Sequence, residues 1–224
     1  MYIEHPWLKA YPVKPSDKGI IIGTHPPMPY RGCLKFYYGN MYEFWRFLEQ
    51  VYPNDSFFDS EQKPDLKKIL KWLKKYQLGI TDMLFLTQKS NQFSVDNDMI
   101  IDDKKKQLNP FLFDWLKNSK VNTLYFTSFS NGKSAFGLFK IWYRIHFKKT
   151  LPKGLDILKD GNSFTIELFN RKIKLVMLYS PSPAARRGIP RSKPYQDWLI
   201  KNPKGNIDQF RVWWYKKYLP KMFV

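Results

Sequence analysis

Short apolar runs alternate with amphipathic segments along the chain, and this alternation constrains the fold more than any other feature. The clearest run, KGIIIG at 18–23, is continuous and ends in glycine, a pattern typical of a buried parallel strand. Strands that alternate with helices predict one α/β domain over residues 1–224 with a mainly parallel sheet. We predict strands at 18–23, 80–87 and 121–130, two strands within 164–180, and helices at 41–52, 64–79, 109–119, 133–147 and 208–219.

Four boundaries in this prediction depend on particular residues. The helix 64–79 has a proline at its start and Gly79 as its stop signal. The helix 109–119 takes Asn109 as its N-terminal cap, and the two strands within 164–180 are separated around Asn170 and Arg171.

Polar residues gather where the predicted strands end, and in parallel sheets ligands bind beyond those carboxyl ends. The residues at these carboxyl ends are Gly23, Thr24, His25, Pro26 and Pro27, the region of Thr87, the segment 128–132 and the segment 180–183. Asp82, in GITDM, lies near a predicted strand end, where its carboxylate can orient water, accept a hydrogen bond from a ligand or, as is commoner, cap a turn.

An aromatic loop follows the first predicted strand. The rings of Phe36, Tyr37 and Tyr38 either form a stacking platform for a planar ligand or pack the loop itself. Gly39 allows a close turn that presents Asn40.

Net charge favours a nucleic-acid partner. The chain has 38 Lys and Arg against 19 Asp and Glu, which gives a formal net charge of +19. A generally lysine-rich composition is the alternative, since many lysines lie on predicted helix faces such as DLKKILKWLKKY.

Cysteine and histidine usage argues against metal and disulfide chemistry. One cysteine permits neither an internal disulfide nor a cysteine cluster, and His5, His25 and His146 are too scattered in sequence for a metal site. No segment is long and apolar enough to span a bilayer, and the N-terminus lacks the pattern of a signal peptide. We therefore expect a cytoplasmic, monomeric protein without a metal or an organic cofactor.

The segment FSNGKS at 129–134 resembles the end of a phosphate-binding loop, but the required earlier glycine is Thr127. What remains is a turn at Asn131 and Gly132 before a helix whose N-terminus can face an anion or a carbonyl. An ordinary strand-to-helix turn is an equally good interpretation. No Gly-x-Ser-x-Gly motif supports an acyl-transfer hydrolase.

Four motifs in order, GTHPP…FYYGN…FW, GITDM, NGKSAF and SPSPAAR, resemble those of the uracil-DNA glycosylase superfamily over about 19–219. The mismatch-specific and hypoxanthine-DNA glycosylase branch is the most similar. The resemblance implies a three-layer α/β/α sandwich with a short parallel sheet, DNA as partner, and hydrolysis of the bond between a deaminated or mismatched base and deoxyribose. It implies base-binding roles for Gly23, Thr24, Pro26, Phe36, Tyr37, Tyr38, Asn131 and Gly132.

The same resemblance explains why a strand ends in a rigid, basic loop. In the family, a Ser-Pro motif grips the DNA backbone, and residues after it fill the gap left by the extracted base. Prolines fix the backbone, serine hydroxyls bond phosphates, and arginines add charge. The residues at these positions are Ser180, Pro181, Ser182, Pro183, Ala184, Ala185, Arg186 and Arg187.

The chain departs from the family at two motif positions. His25 stands where most members have Asn or Asp, and Ser180 stands where several branches have His. The resemblance therefore implies Asn40, with His25 or Asp82, as the group that holds water, and Glu43 is another candidate. The alternatives are a DNA-binding module that has lost its chemistry and, with less support, a nucleotide-binding enzyme that uses the SNGKS turn.

Overall fold

The computed structural model describes residues 2–26, 32, 34–39, 43–88, 101–130, 132–153 and 163–221. The strands in these ranges are β1 (Tyr2–Glu4), β2 (Gly19–Gly23), β3 (Leu78–Asp82), β4 (Leu86–Gln88), β5 (Thr123–Phe126), β6 (Ser163–Leu168) and β7 (Arg171–Met177). The α-helices are α1 (Glu43–Val51), α2 (Leu66–Lys75), α3 (Lys104–Gln107), α4 (Leu112–Asn118), α5 (Ala135–Phe147), α6 (Lys193–Lys201) and α7 (Ile207–Tyr218). Two short 3₁₀-helices, Pro183–Arg187 and Ile189–Arg191, precede α6.

A mostly parallel sheet forms the centre of the fold. Its five strands lie in the order β3-β2-β5-β7-β6, with β6 the only antiparallel member. The three isoleucines of β2, Ile20, Ile21 and Ile22, are at most 1% exposed, because helices cover the sheet. The predicted α/β class with a mainly parallel sheet is therefore confirmed.

The strand order creates a switch point between β2 and β5. The chain leaves β2 towards β3 at one edge of the sheet, whereas it leaves β5 towards β7 in the opposite direction. Parallel connections are almost always right-handed, so these two crossovers place their helices on opposite faces. Phe47 of α1 packs against Tyr215 of α7, and Phe113 of α4 stacks on His146 of α5. This arrangement is compatible with an α/β/α sandwich, whose ligand crevice is expected at the switch point.

The predicted strand 80–87 was wrong as a single element. β3 ends at Asp82, and β4 instead pairs with β1 in a separate antiparallel sheet. Between them, the amides of Met83 and Leu84 donate to the carbonyl groups of Gly23 and Thr24. The apolar residues of this stretch are buried where the chain turns across the strand ends, which imitates the pattern of a longer strand.

The predicted helix stop at Gly79 was also wrong. α2 ends at Lys75, and Gly79 lies within β3. A Cβ at Gly79 would come within 2.9 Å of the Asp17 carboxylate and 3.1 Å of the Val13 side chain, so the close packing of these side chains explains the glycine. Asp65 caps the start of α2 by accepting from two backbone amides.

Asn109 does not cap α4, contrary to prediction. The helix begins at Leu112, and the Asn109 side chain accepts from the amide of Phe111. Its own amide group donates to the hydroxyl of Thr81 and to the carbonyl of Asp82. Asn109 therefore braces the end of β3.

The two strands predicted within 164–180 are confirmed as a hairpin of β6 and β7, but Arg171, predicted at the break between them, begins β7. Phe169 and Asn170 form its two-residue loop, with φ of +52° and +59°. Helices α5 and α7 agree with their predicted ranges within two residues, whereas β1, α3 and α6 were not predicted. None of the helices in the described ranges combines the length and hydropathy that crossing a bilayer requires.

Candidate functional site

A buried histidine–aspartate pair lies at the carboxyl end of β3. Nε2 of His5 is 2.9 Å from Oδ2 of Asp82, and the two residues are 2% and 5% exposed. Nδ1 of His5 accepts from the amides of Trp7 and Leu8, so this nitrogen carries no proton. The neutral imidazole therefore donates its Nε2–H to the carboxylate, which fixes one oxygen of Asp82.

The first strand brings His5 to this position. β1 pairs with β4 so that Ile3 lies opposite Thr87, and the amide of His5 donates to the carbonyl of Phe85 at 2.7 Å. Because β4 follows β3 after a short turn, this pairing delivers the N-terminal segment to the end of β3. Sequence reasoning missed His5 because the two partners are 77 residues apart and no local pattern links them.

His25 lies against this pair and is neutral. Its ring meets the His5 ring edge-on, with 5.0 Å between centroids. Burial and, secondly, the neighbouring His5 lower the pKa of His25 to about 3. Nδ1 is 2.8 Å from the Pro26 carbonyl, which can only accept, so Nδ1 carries the proton and Nε2 keeps its lone pair.

Gly23 lets three strand ends meet. A Cβ at this position would lie 2.2 Å from Oδ1 of Asp82 and 2.6 Å from the hydroxyl of Tyr38. The hydroxyl of Thr127 donates to the carbonyl of Ile22, so it accepts from the Tyr38 hydroxyl at 2.9 Å. The ends of β2, β3 and β5 are thus linked across one glycine at the switch point.

The aromatic loop mainly packs the core. Phe36 is fully buried, edge-on to Tyr11, and Tyr37 is 1% exposed with its carbonyl bonded to the Trp45 indole. Burial raises the pKa of Tyr37, and the nearby Asp82 raises it further. Of the two interpretations left open for Phe36 and Tyr37, the structure favours packing.

The structure describes Tyr38 but not Asn40. Tyr38 is half-buried and stacks on Phe44, with ring centroids 4.0 Å apart, so of the three loop rings it alone retains appreciable exposed surface. Asn40, the main candidate for holding water, lies outside the described residues, and its predicted role stays a prediction. The backbone of Glu43 begins α1.

The backbone amides at the start of α5 form hydrogen bonds within the chain. The amide of Ala135 donates to the Ser128 hydroxyl, and the amide of Phe136 donates to the Ser128 carbonyl. The hydroxyl of Ser134 accepts from the amide of Gly137. These three amides are therefore bonded within the chain and are not available to a phosphate or to a base edge.

Gly132 lies apart from the buried pair. It has a φ of +86°, is exposed, and lines a cleft of about 310 Å³ on the outer side of α5. Asn131, its predicted partner in base binding, lies outside the described residues. The other residues of this cleft include Phe129, Phe136, Lys140, Arg144 and Leu151.

A buried arginine fixes the Ser-Pro loop after β7. Arg211 of α7 is 5% exposed and donates to the carbonyl groups of Ser180 and Ser182, at 2.8 and 3.4 Å. Its other amino group bonds Asp208 at 2.5 Å. The loop is therefore held by its backbone, whereas Ser182 and Pro183 remain exposed.

The basic residues of the loop differ in their partners. Arg186 is bound to Asp208 at 2.9 Å, with both side chains about half exposed. Arg187 is exposed and makes no ion pair with any residue that the structure describes. Pro181 is buried and Ala185 half-buried, and the side chain of Ala184 is not described.

The predicted site residues therefore form two groups. Gly23, His25 and Asp82 meet at the switch point with Thr24 and Pro26 beside them in sequence. The Ser-Pro loop follows β7, which lies two strands from β2, so the groups are about 10 Å apart at the sheet edge. Within the described ranges, no group of three or more His, Cys, Asp or Glu side chains is arranged to hold a metal ion.

Comparison with known protein families gives no matching family, and comparison with curated proteins gives no matching relative. The functional argument therefore depends on the site itself.

Proposed function

We propose that the protein is a DNA glycosylase, similar in fold and mechanism to the uracil-DNA glycosylase superfamily, that hydrolyses the N-glycosidic bond of a deaminated or mismatched base. The observation that carries this proposal is the buried His5–Asp82 pair at the carboxyl end of β3, next to β2 and its switch point with β5. A carboxylate held by a histidine at the end of a parallel strand suits hydrolysis.

Asp82 holds the attacking water in this proposal. His5 occupies Oδ2, which leaves Oδ1 over Gly23 as the acceptor for a water molecule. The carboxylate also stabilises the positive charge that grows on the sugar as the bond to the base breaks. His25, which is neutral and has its Nε2 lone pair, adds a hydrogen-bond acceptor rather than an acid.

The Ser-Pro loop supplies the grip on DNA. Arg211 fixes its backbone before DNA arrives, so little conformational entropy is lost when it binds a phosphate. Exposed Ser182 and Arg187 are the residues that contact the backbone. The net charge of +19 supports this role, because neutralised phosphates release counterions.

Base release from duplexes that contain uracil, hypoxanthine or mismatched thymine, followed by alkaline cleavage, tests the proposal. We expect release of at least one base, and a loss of roughly 10²-fold or more in Asp82→Asn, the scale for one preorganised polar group. Asp17→Asn is the matched control. Asp17 is also buried but precedes β2, so it lies at the amino ends of the strands rather than at their carboxyl ends.

The same experiment includes outcomes that contradict the proposal. Tight binding of every duplex without release of any base favours the DNA-binding module instead. Equal losses in Asp82→Asn and Asp17→Asn would mean that either substitution only weakens the fold. Binding that does not weaken with salt would remove the electrostatic basis, since a log–log slope of about −0.9 is expected for each phosphate contact.

A further inference from the structure

A groove between α6 and α7 combines an exposed aromatic ring with basic side chains. It has a volume of about 360 Å³ and lies away from the strand ends. Trp213 is 39% exposed, an unusual value for tryptophan, and the ammonium group of Lys217 lies 5.3 Å from its ring centroid. The groove is lined chiefly by Lys193, Trp198, Lys201, Asn202, Trp213 and Lys217.

The floor of the groove is well fixed. Trp198 is 8% exposed, and its ring centroid lies 6.4 Å from that of Trp213. A Cβ at Gly205 would lie only 2.3 Å from the Trp198 ring, so this glycine allows the chain to pass close to the indole. The side chain of Asn202 donates to the carbonyl of Trp198 at 2.9 Å. Trp213 is therefore presented by a prebuilt surface.

The surroundings of the groove are strongly basic. Residues 193–221 contain seven Lys and Arg against two Asp. One of these carboxylates, Asp197, is bound to Lys193 at 3.0 Å, and the other is bound to arginines outside the groove. Lys201 and Lys217 are exposed and make no ion pair within the described part of the chain. The groove thus presents uncompensated positive charge beside a flat ring.

We propose that this groove binds single-stranded nucleic acid, with one base stacked on Trp213 and its phosphates near Lys201 and Lys217. A nucleotide combines a π face with a phosphate, which matches a partly exposed indole in a groove that is also lined by lysine ammonium groups. An acidic peptide would use the charge and leave the ring unmatched. A duplex would contact the lysines while its base faces remain stacked inside the helix.

The groove adds a second contact surface to the same helix that braces the Ser-Pro loop. Lys217 follows Arg211 by six residues, which corresponds to about 9 Å along α7. The binding itself is independent of base release, so it is testable whether or not the protein is a glycosylase.

Affinity for a short labelled oligothymidylate, measured by fluorescence anisotropy, tests this proposal. Trp213→Ala should weaken binding by about 5- to 150-fold, the range for loss of one stacked base. The same variant should bind an abasic oligonucleotide of equal length as tightly as the unaltered protein does. Phe164→Ala is the matched control, because Phe164 has the same 39% exposure and lies on β6 at the edge of the sheet.

Three outcomes would overturn the proposal. Equal weakening on thymidylate and abasic strands would mean that the groove recognises charge alone. Unchanged affinity for both would remove Trp213 from any binding site. Loss of binding to anionic lipid vesicles, with thymidylate affinity intact, would assign the groove to a membrane surface instead. Urea unfolding of each variant checks that the fold is retained, and Trp213→Phe, which keeps a flat ring, should restore most of the affinity.

Discussion

Acidification should destabilise the protein through His25. In the folded chain, burial lowers the pKa of His25 to about 3, whereas an unfolded histidine has a pKa of about 6.5. Between these values the unfolded state binds more protons, so the free energy of unfolding falls as the pH falls. Each pH unit below about 6.5 costs about 1.4 kcal/mol, so lowering the pH from about 7 to about 5 should remove about 2 kcal/mol.

Urea unfolding at several pH values measures this effect, with His25→Asn as the comparison. The asparagine side-chain amide can replace Nδ1–H as the donor to the Pro26 carbonyl, but it does not titrate. Every other titratable group is present in both proteins, so the difference between the two pH profiles reports on His25 and on its contact with His5. The variant should lose about 2 kcal/mol less than the unaltered protein over this range.

Parallel pH profiles would refute the reasoning. They would mean that His25 gains a proton in the folded protein as readily as in the unfolded chain. The imidazole would then be open to water rather than buried between His5 and the Pro26 carbonyl.

Two further predictions concern the strand ends. His5→Ala should lower the free energy of unfolding by about 3–5 kcal/mol, because it leaves the buried Asp82 carboxylate without its partner. Adding Asp82→Asn to this variant should restore part of the loss. Urea unfolding of the two single variants and the double variant should give a coupling energy of about 1–3 kcal/mol. Additive effects would show that the pair is not coupled. Gly23→Ala should lower the free energy of unfolding by about 1–3 kcal/mol, because its Cβ would clash with Asp82, and it should abolish base release. Gly188→Ala serves as the control, because Gly188 has open space around it. Normal stability and base release in Gly23→Ala would contradict the tight meeting of the strand ends.

The coarse fold was predictable because burial leaves a periodic trace in the sequence. The continuous isoleucines of β2 could only suit a strand covered on both faces, and the alternation with helices then required parallel neighbours. The hairpin was predictable because two strand-like runs flank Asn170, a residue type that tolerates the positive φ of a two-residue hairpin turn. The boundaries predicted at Gly79 and Asn109 were wrong because neither residue ends or starts a helix. Gly79 allows close packing, and Asn109 bonds to the end of β3.

The candidate site was predictable only in part. His25 follows a predicted strand, so the general rule for parallel sheets selected it. Asp82 was selected from the GITDM motif, whereas the rule itself pointed to the region of Thr87, because β3 was predicted to run on to that residue. His5 and Arg211 contact residues that are far from them in sequence. His5 bonds to Asp82, and Arg211 bonds to the carbonyl groups of Ser180 and Ser182. Nothing in the sequence near His5 or Arg211 indicates these partners, because the pairing depends on how β1 and α7 pack.

The hydrogen bonds at the strand ends limit which group can take a proton from water. Nδ1 of His5 accepts hydrogen bonds from two backbone amides, and its Nε2–H already donates a hydrogen bond to Asp82. His25 has a pKa of about 3, so it is too weak a base to gain a proton near neutral pH. Among the described residues that meet at Gly23, this leaves the Asp82 carboxylate as the charged acceptor. If the protein is a glycosylase, its rate should therefore depend on Asp82 and show no titration of His25 between about pH 5 and 8, the range in which an unperturbed imidazole would titrate.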